Sequence, residues 1–132
     1  MPLYADSNQL YETMKALFTR IRDQGGAQSV GKSRLVLRFH TRQPEAVITI
    51  DGRQQPVQVS YGPSKLRADL EVELPADALH QILLGELRLS KALGSGQMKV
   101  RGPIFKTFAL EEVFHLGQAL YPQILREMGR AD

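Results

Sequence analysis

The sequence predicts an α+β domain in which helices cover one face of a five-stranded, mainly antiparallel sheet. Five short segments alternate apolar and polar residues, and turns rich in glycine and proline separate several of them. Most of the remaining chain repeats apolar residues at helical spacing. The 132 residues contain no internal repeat and fall within the size range of one domain, so we expect a single domain over residues 1–132.

Each element follows from a local pattern. Asp6 or Ser7 is a good N-cap for a first helix, which Gly25 and Gly26 are expected to end. The alternation predicts strands at residues 34–41, 46–51, 57–61, 70–74 and 97–101. Helical spacing predicts three further helices at residues 77–84, 87–93 and 103–128. Because proline lacks an N–H, we expect Pro122 to kink or divide the last of them.

The polar faces of three strands carry charges of different sign. These positions are Arg34, Arg38 and Arg42 on the first strand, Asp69, Glu71 and Glu73 on the fourth, and Lys99 and Arg101 on the fifth. Opposite charges across neighbouring strands are favourable, which predicts the acidic strand between the two basic ones. The net charge of +3 suggests nucleic acid as a partner, but carboxylates would interrupt the basic surface and no aromatic side chain faces outward. We therefore expect no nucleic-acid binding.

Two motifs match known chemical sites without the surrounding structure that those sites need. Residues 26–33 (GAQSVGKS) fit the phosphate-loop pattern, but a helix precedes them and a strand follows, the reverse of a phosphate loop. Asp77 with His80 and Glu112 with His115 have the spacing of carboxylate-bridged metal pairs, yet further inward carboxylates at supporting positions are missing. The sequence predicts no nucleotide site, no metal and no cofactor.

No catalytic set is recognisable either, so we expect no enzyme. The chain has no cysteine, and no serine lies in a GxSxG turn. No apolar run approaches the roughly 20 residues that span a bilayer, and the first residues lack a basic stretch followed by an apolar one. These absences favour a cytoplasmic protein.

The helices after residue 78 carry more large apolar side chains than one sheet face can cover. Two interpretations of this surplus remain open. The first is a filled core in an interaction or dimerisation module, with a contact around Leu116, Tyr121 and Leu125 on the last helix. The second is an internal cavity that holds an apolar ligand.

Three features carry a resemblance to a known family. They are the alternating strand at residues 68–74, the helix at 77–84 closed by Gly85, and residues 96–102 (GQMKVRG), with the pattern Gly-x-apolar-Lys-apolar-x-Gly. With these features in this order, residues 46–120 resemble the sterol carrier protein type-two family of lipid-transfer domains. The resemblance implies a five-stranded sheet whose helices enclose an apolar tunnel for sterols, fatty acids, acyl-CoA or phospholipids.

The resemblance also implies which residues line the tunnel. Carried over to this chain, the lining consists of Leu83, Leu87, Leu93, Met98, Val100, Ile104, Phe105, Phe108 and Phe114. The predicted function is non-enzymatic binding, and transfer, of such a ligand. Arg88, Lys91 and Lys106 are candidates to receive an anionic head group or an acidic membrane surface. The expected partners are thus a lipid, a transiently contacted membrane and a second copy of the chain.

Overall fold

The computed structural model of the chain describes residues 4–24, 32–54, 56–103 and 106–129. Its elements are, in order, α1 (Ser7–Asp23), β1 (Val36–Arg42), β2 (Ala46–Asp51), β3 (Gln58–Tyr61), β4 (Leu70–Pro75), α2 (Ala76–Leu83), α3 (Leu89–Gly94), β5 (Lys99–Arg101) and α4 (Thr107–Glu127). The predicted α+β class is confirmed, and each predicted strand is present.

The five strands form one sheet in the order β3-β2-β1-β4-β5. Strands β1 and β4 are parallel, and the other neighbouring pairs are antiparallel. Because β3 and β4 lie on opposite sides of the β1–β2 pair, residues 62–69 must carry the chain across the sheet. The Arg38 guanidinium donates a hydrogen bond to the Leu66 carbonyl in this crossing segment. Arg38 and Thr49 are consequently buried on a sheet face that the sequence predicts to be solvated.

The acidic strand β4 lies between the basic strands β1 and β5, as the charge pattern predicts. Glu71 Oε1 is 3.3 Å from His40 Nε2 and 3.4 Å from Arg38 Nη1, and Glu73 is 3.8 Å from Arg101. The hydrogen bond from His40, assisted by Arg38, lowers the pKa of Glu71 below its ordinary value although partial burial opposes this change. Opposite charges therefore meet across both edges of β4, the favourable arrangement for neighbouring strands.

Helix α1 begins with the predicted cap, since Asp6 Oδ1 accepts a hydrogen bond of 2.8 Å from the Gln9 N–H. Its apolar face is buried against α4 and the sheet. In the same core, the rings of Phe39 in β1 and Phe114 in α4 pack edge to face, with centroids 5.8 Å apart. The inner face of the sheet and the helices thus share one apolar core.

The predicted start of the last helix is wrong, and of the two effects predicted for Pro122, division of the helix does not occur. Helix α4 begins at Thr107, so Pro103 precedes it, and residues 104–105 lie outside the described part of the chain. Pro122 lies inside the helix without dividing it. Buried residues on both sides of the proline, Tyr121 and Ile124, hold the two halves of α4 against the same core, which outweighs the missing backbone hydrogen bond. Among the described residues, no helix is long and apolar enough to cross a membrane.

Candidate functional site

An apolar cavity lies between the inner face of the sheet and helices α1, α2 and α4. Its lining comprises Met14, Leu17, Phe18 and Ile21 of α1, Phe39 and Ile48 of the sheet, Leu79 and Leu83 of α2, and Val113, Phe114 and Gly117 of α4. The cavity volume is about 20 Å³, which is room for about one water molecule. Since the lining presents hydrocarbon, a water there would lack hydrogen-bond partners, and we expect the cavity to be dry.

Local sequence patterns place these side chains. The four α1 residues recur at intervals of three and four, which puts them on one face of the helix. Phe39 and Ile48 are paired in register on adjacent strands and face the helices. The cavity is therefore the junction of an amphipathic helix with the apolar face of a sheet.

Gly117 permits the close approach of three helices at this junction. A Cβ atom added there would lie 2.7 Å from Leu83 Cδ2 and 3.7 Å from Leu17 Cδ2. A glycine inside a helix costs roughly 1 kcal/mol relative to alanine, so its position in α4 points to a packing reason. Our sequence reasoning missed this residue, although a glycine in the middle of a predicted helix was the available signal.

The structure brings two of the predicted lining residues, Leu83 and Phe114, into the cavity wall. Met98 is buried in the core but lies outside this wall, while Leu87 and Val100 are half-buried. The four α1 residues of the wall were not among the predicted lining residues. A continuous tunnel is not seen in the part of the chain that the structure describes.

The remaining predicted lining residues are either exposed or outside the described residues. Leu93 is 42% exposed and Phe108 is 47% exposed. Ile104 and Phe105 fall outside the described residues. Whether any of the predicted residues contacts a ligand stays a prediction.

A buried cluster of hydroxyl groups lies beside the cavity. The hydroxyls of Tyr4 and Tyr121 are hydrogen-bonded to each other, and the Tyr121 hydroxyl is 2.6 Å from His80 Nδ1. Tyr121 follows Gly117 by one helical turn, and both tyrosine side chains are fully buried. This cluster, the Tyr–Tyr–His cluster, connects the segment before α1 to α2 and α4.

The structure places part of each of the two chemical motifs found in the sequence. His80 bonds to Tyr121, and no group of three metal-ligating side chains occurs among the described residues. Most of the phosphate-loop match, residues 26–31, lies outside the described part. Its flanks are α1 before and β1 after, the order that the sequence predicts.

Of the three basic residues predicted to bind a lipid head group, Lys106 forms an ion pair within the protein. Lys106 Nζ is 3.3 Å from Asp69 Oδ1, so this ammonium group already has an anionic partner. Arg88 and Lys91 are exposed at the start of α3. Their role at an entrance remains a prediction.

An ion pair joins α1 to α4 at the edge of their apolar contact. The Arg20 guanidinium donates two hydrogen bonds of 2.7 Å to the two carboxylate oxygens of Glu127. The bond from Arg20 lowers the pKa of Glu127, and the same bond raises the pKa of Arg20. This bidentate geometry is the best-defined form of a surface ion pair.

A second, open cleft lies on the opposite face of the sheet, with a volume of about 340 Å³. Arg42 and the carboxylates Glu45 and Glu73 line it, together with His40. Because it combines acidic and basic groups on an open surface, this cleft lacks the apolar depth that an apolar ligand needs.

Comparisons with known proteins identify the same architecture. A model of the SCP-2 sterol transfer family matches residues 14–115. The sterol carrier protein domain 2 of Helicoverpa armigera superposes with a TM-score of 0.67 at 17% identity, over 83% of this chain and 88% of that one. The apo form of Sterol Carrier Protein 2 from Yarrowia lipolytica gives a TM-score of 0.65 at 20% identity, over 89% and 98% of the two chains. Palmitated SCP2L2 from Aedes aegypti gives 0.55 at 19%, over 75% and 91%. At these identities the structural matches concern the fold.

Proposed function

The chain belongs to the SCP-2 sterol transfer family, and we propose that it binds an apolar lipid, without catalysis, between its helices and the inner face of its sheet. The observation that carries this proposal is the wholly apolar lining of the cavity. Burial of hydrocarbon there is favourable by roughly 25 cal/mol for each Å² removed from water. A cytoplasmic location and a transient contact with membranes are part of the proposal.

The size of the cavity bears on how binding occurs. A volume of about 20 Å³ is far below the roughly 300–1,000 Å³ of pockets that hold small-molecule ligands. Binding of a lipid therefore requires the walls to move apart. The α1 wall consists of side chains that pack without polar bonds into the cavity, which supports an expandable site.

The chemistry of the lining restricts the ligand class. It offers no charged or hydrogen-bonding side chain, so the polar end of a ligand would remain at the surface. A molecule with one long hydrocarbon part and one polar end satisfies this condition. Because the Aedes aegypti relative is palmitated, a long-chain fatty acid is the first probe we would use.

Two single-tryptophan variants test the proposal, since the chain has no tryptophan of its own. Phe18→Trp places the fluorophore in the cavity wall, and Phe108→Trp places it at an exposed residue outside that wall. A fatty acid carrying a nitroxide quencher on its chain should quench the first variant and leave the second nearly unchanged. Native mass spectrometry of protein from cells, followed by lipid extraction, should identify the bound molecule.

The other outcomes of this experiment are informative. Quenching of only the Phe108→Trp variant would place the lipid beside the start of α4, where the family resemblance implies it. No quenching of either folded variant, together with a ligand-free native mass, would refute lipid binding.

The small cavity favours one alternative, an interaction or dimerisation module with a filled core. The contact predicted for it is wrong in part, because Tyr121 and Leu125 are buried and only Leu116 reaches the surface to some extent. In the described chain, exposed large apolar side chains include Phe108 and Leu93. Light scattering during size-exclusion chromatography distinguishes the alternatives, since a lipid-free dimer supports the module and a lipid-loaded monomer opposes it.

A further inference from the structure

One wall of the cavity is formed by helix α1. Met14, Leu17, Phe18 and Ile21 face the cavity, and Val113, Phe114 and Gly117 of α4 form the wall beside them. The backbone hydrogen bonds of a helix are internal, so α1 can move away from α4 without breaking a backbone pair. A site that must expand to hold a lipid therefore has one wall that can shift without disrupting the sheet.

The two halves of α1 are held in different ways. In the N-terminal half, Ser7 Oγ donates a hydrogen bond to the Glu45 carbonyl, and the Tyr11 hydroxyl accepts one of 3.0 Å from the Val47 N–H. Both bonds tie α1 to the start of β2. In the C-terminal half, Arg20 is joined to Glu127 of α4 by two bonds of 2.7 Å. One end is thus anchored to the sheet and the other to a second helix.

The contacts near Arg20 favour opening at that end. Leu17, Phe18 and Ile21 lie within one turn of Arg20 and belong to the cavity wall. Gly117, opposite Leu17, has no side chain that could lock the two helices together. Separation of α1 from α4 at this end would widen the cavity directly.

We infer that the Arg20–Glu127 ion pair is a clasp that keeps the cavity narrow, and that a lipid enters when the C-terminal half of α1 swings away from α4. The N-terminal bonds to β2 act as the hinge. This inference rests on the proposed lipid binding and adds its route of access. The side chains of Arg20 and Glu127 are 31% and 46% exposed, so salt reaches the pair and weakens it. An exposed pair of this kind changes an equilibrium by about two- to fivefold.

A cysteine pair tests the clasp, because the chain has no cysteine of its own. In the reduced R20C/E127C variant the clasp is absent, and stopped-flow association of the nitroxide-labelled fatty acid, read in the Phe18→Trp background, should be about two- to fivefold faster. Joining the two thiols with a short bismaleimide should make association at least about tenfold slower than in the unmodified protein.

A matched control carries the same chemistry without bridging the helices. In Q123C/E127C both cysteines lie on α4, one turn apart, and Glu127 is still lost. Association should be fast before and after modification of this control. The charge-reversed variant R20E should associate faster than the parent protein, and R20E/E127R should return to the parent rate. Near-identical circular dichroism of all variants establishes that they are folded.

The outcomes separate the two proposals. Equal association rates for the reduced and cross-linked R20C/E127C protein would overturn the clasp, while lipid binding itself would stand. If the Phe18→Trp parent shows no quenching at any salt concentration and the native protein is free of lipid by mass spectrometry, the proposed function fails and the clasp has no ligand to admit. Acceleration of the parent rate by 1 M salt, with little effect on R20C/E127C, would support the clasp.

Discussion

Replacement of Gly117 by alanine is the most direct probe of the cavity, because it adds one methyl group to the wall. The new Cβ would lie 2.7 Å from Leu83 Cδ2, which is too close for an unrelaxed contact. Leu83 contributes the far end of a flexible side chain and borders the empty space, so it can move into the cavity. The variant should therefore fold and should lose part of the cavity.

In the Gly117→Ala variant, two opposing effects nearly cancel in the free energy of unfolding, whereas the affinity for lipid should fall. Alanine gains roughly 1 kcal/mol over glycine inside a helix, and displacing Leu83 from its preferred rotamer costs about 0.5–1.5 kcal/mol. The free energy of unfolding should thus change by less than about 1 kcal/mol, and the Tm by less than about 4 °C. If the added methyl excludes one methylene of the lipid, affinity falls by about 0.8 kcal/mol, or roughly fourfold.

Gly94→Ala provides the matched control for this measurement. Gly94 is also helical, and a Cβ there would meet no atom within 4 Å. This control should gain up to about 1 kcal/mol in stability and bind lipid like the parent protein. Thermal unfolding and titration with a fluorescent fatty acid measure the two quantities. Unchanged affinity of a folded Gly117→Ala variant would show that the lipid is not held in this cavity.

Three further predictions concern the framework around the site. Tyr121→Phe removes a buried hydroxyl that is hydrogen-bonded to Tyr4 and His80, and should lower the free energy of unfolding by about 1–3 kcal/mol. Urea titrations measure this change. A variant as stable as the parent protein would mean that the Tyr–Tyr–His cluster does not stabilise the fold. The pKa of Glu71 is lowered in the folded state, mainly by the hydrogen bond from His40. The ionised carboxylate therefore stabilises the fold above the unfolded pKa of about 4.3, and this stabilisation is lost as the pH falls through the lower folded pKa. Stability measured from about pH 6 to pH 3 should then decline less in Glu71→Gln than in the parent, and parallel curves would contradict this assignment. Gly102→Ala should lower the free energy of unfolding by at least about 2 kcal/mol, because φ is +132° and the new Cβ would contact a backbone oxygen. Gly129→Ala, where φ is +69° and the space around the Cβ is open, should lower it less. Equal losses of stability in the two variants would exclude the contact as the cause.

The strands were predictable because alternation reports burial directly. Leu70, Val72 and Leu74 of β4 are all fully buried, with half-buried Glu71 and Glu73 between them. The same logic failed on the other face of the sheet, because no local pattern shows that residues 62–69 cross it. The start of α4 was misplaced for a related reason, since a proline suits both the first turn of a helix and the loop before it.

The cavity was less predictable than the fold. The spacing of Met14, Leu17, Phe18 and Ile21 is the same whether the residues fill a core or line a space, because a cavity is defined by atoms that are missing. Gly96 and Gly102 were recognised as a motif, and their positive φ angles explain why glycine occurs at both ends of it. Gly117 carried comparable information, but its meaning depends on neighbours from two other helices.

The single parallel pair at the centre of the sheet bears on how the chain folds. Strands β1 and β2 are joined by a tight turn and can pair early, whereas the bond from the Val36 N–H to Asp69 connects residues 33 positions apart. Closing that longer loop costs more chain entropy, so β4 should join the β1–β2–β3 meander late. Until β4 joins, the edge of β1 opposite β2 has no neighbouring strand. Pulse-labelling hydrogen exchange should accordingly find the amides of the β1–β4 pair protected after those of the β1–β2 hairpin, so that the middle of the finished sheet forms later than the β2–β3 side of it.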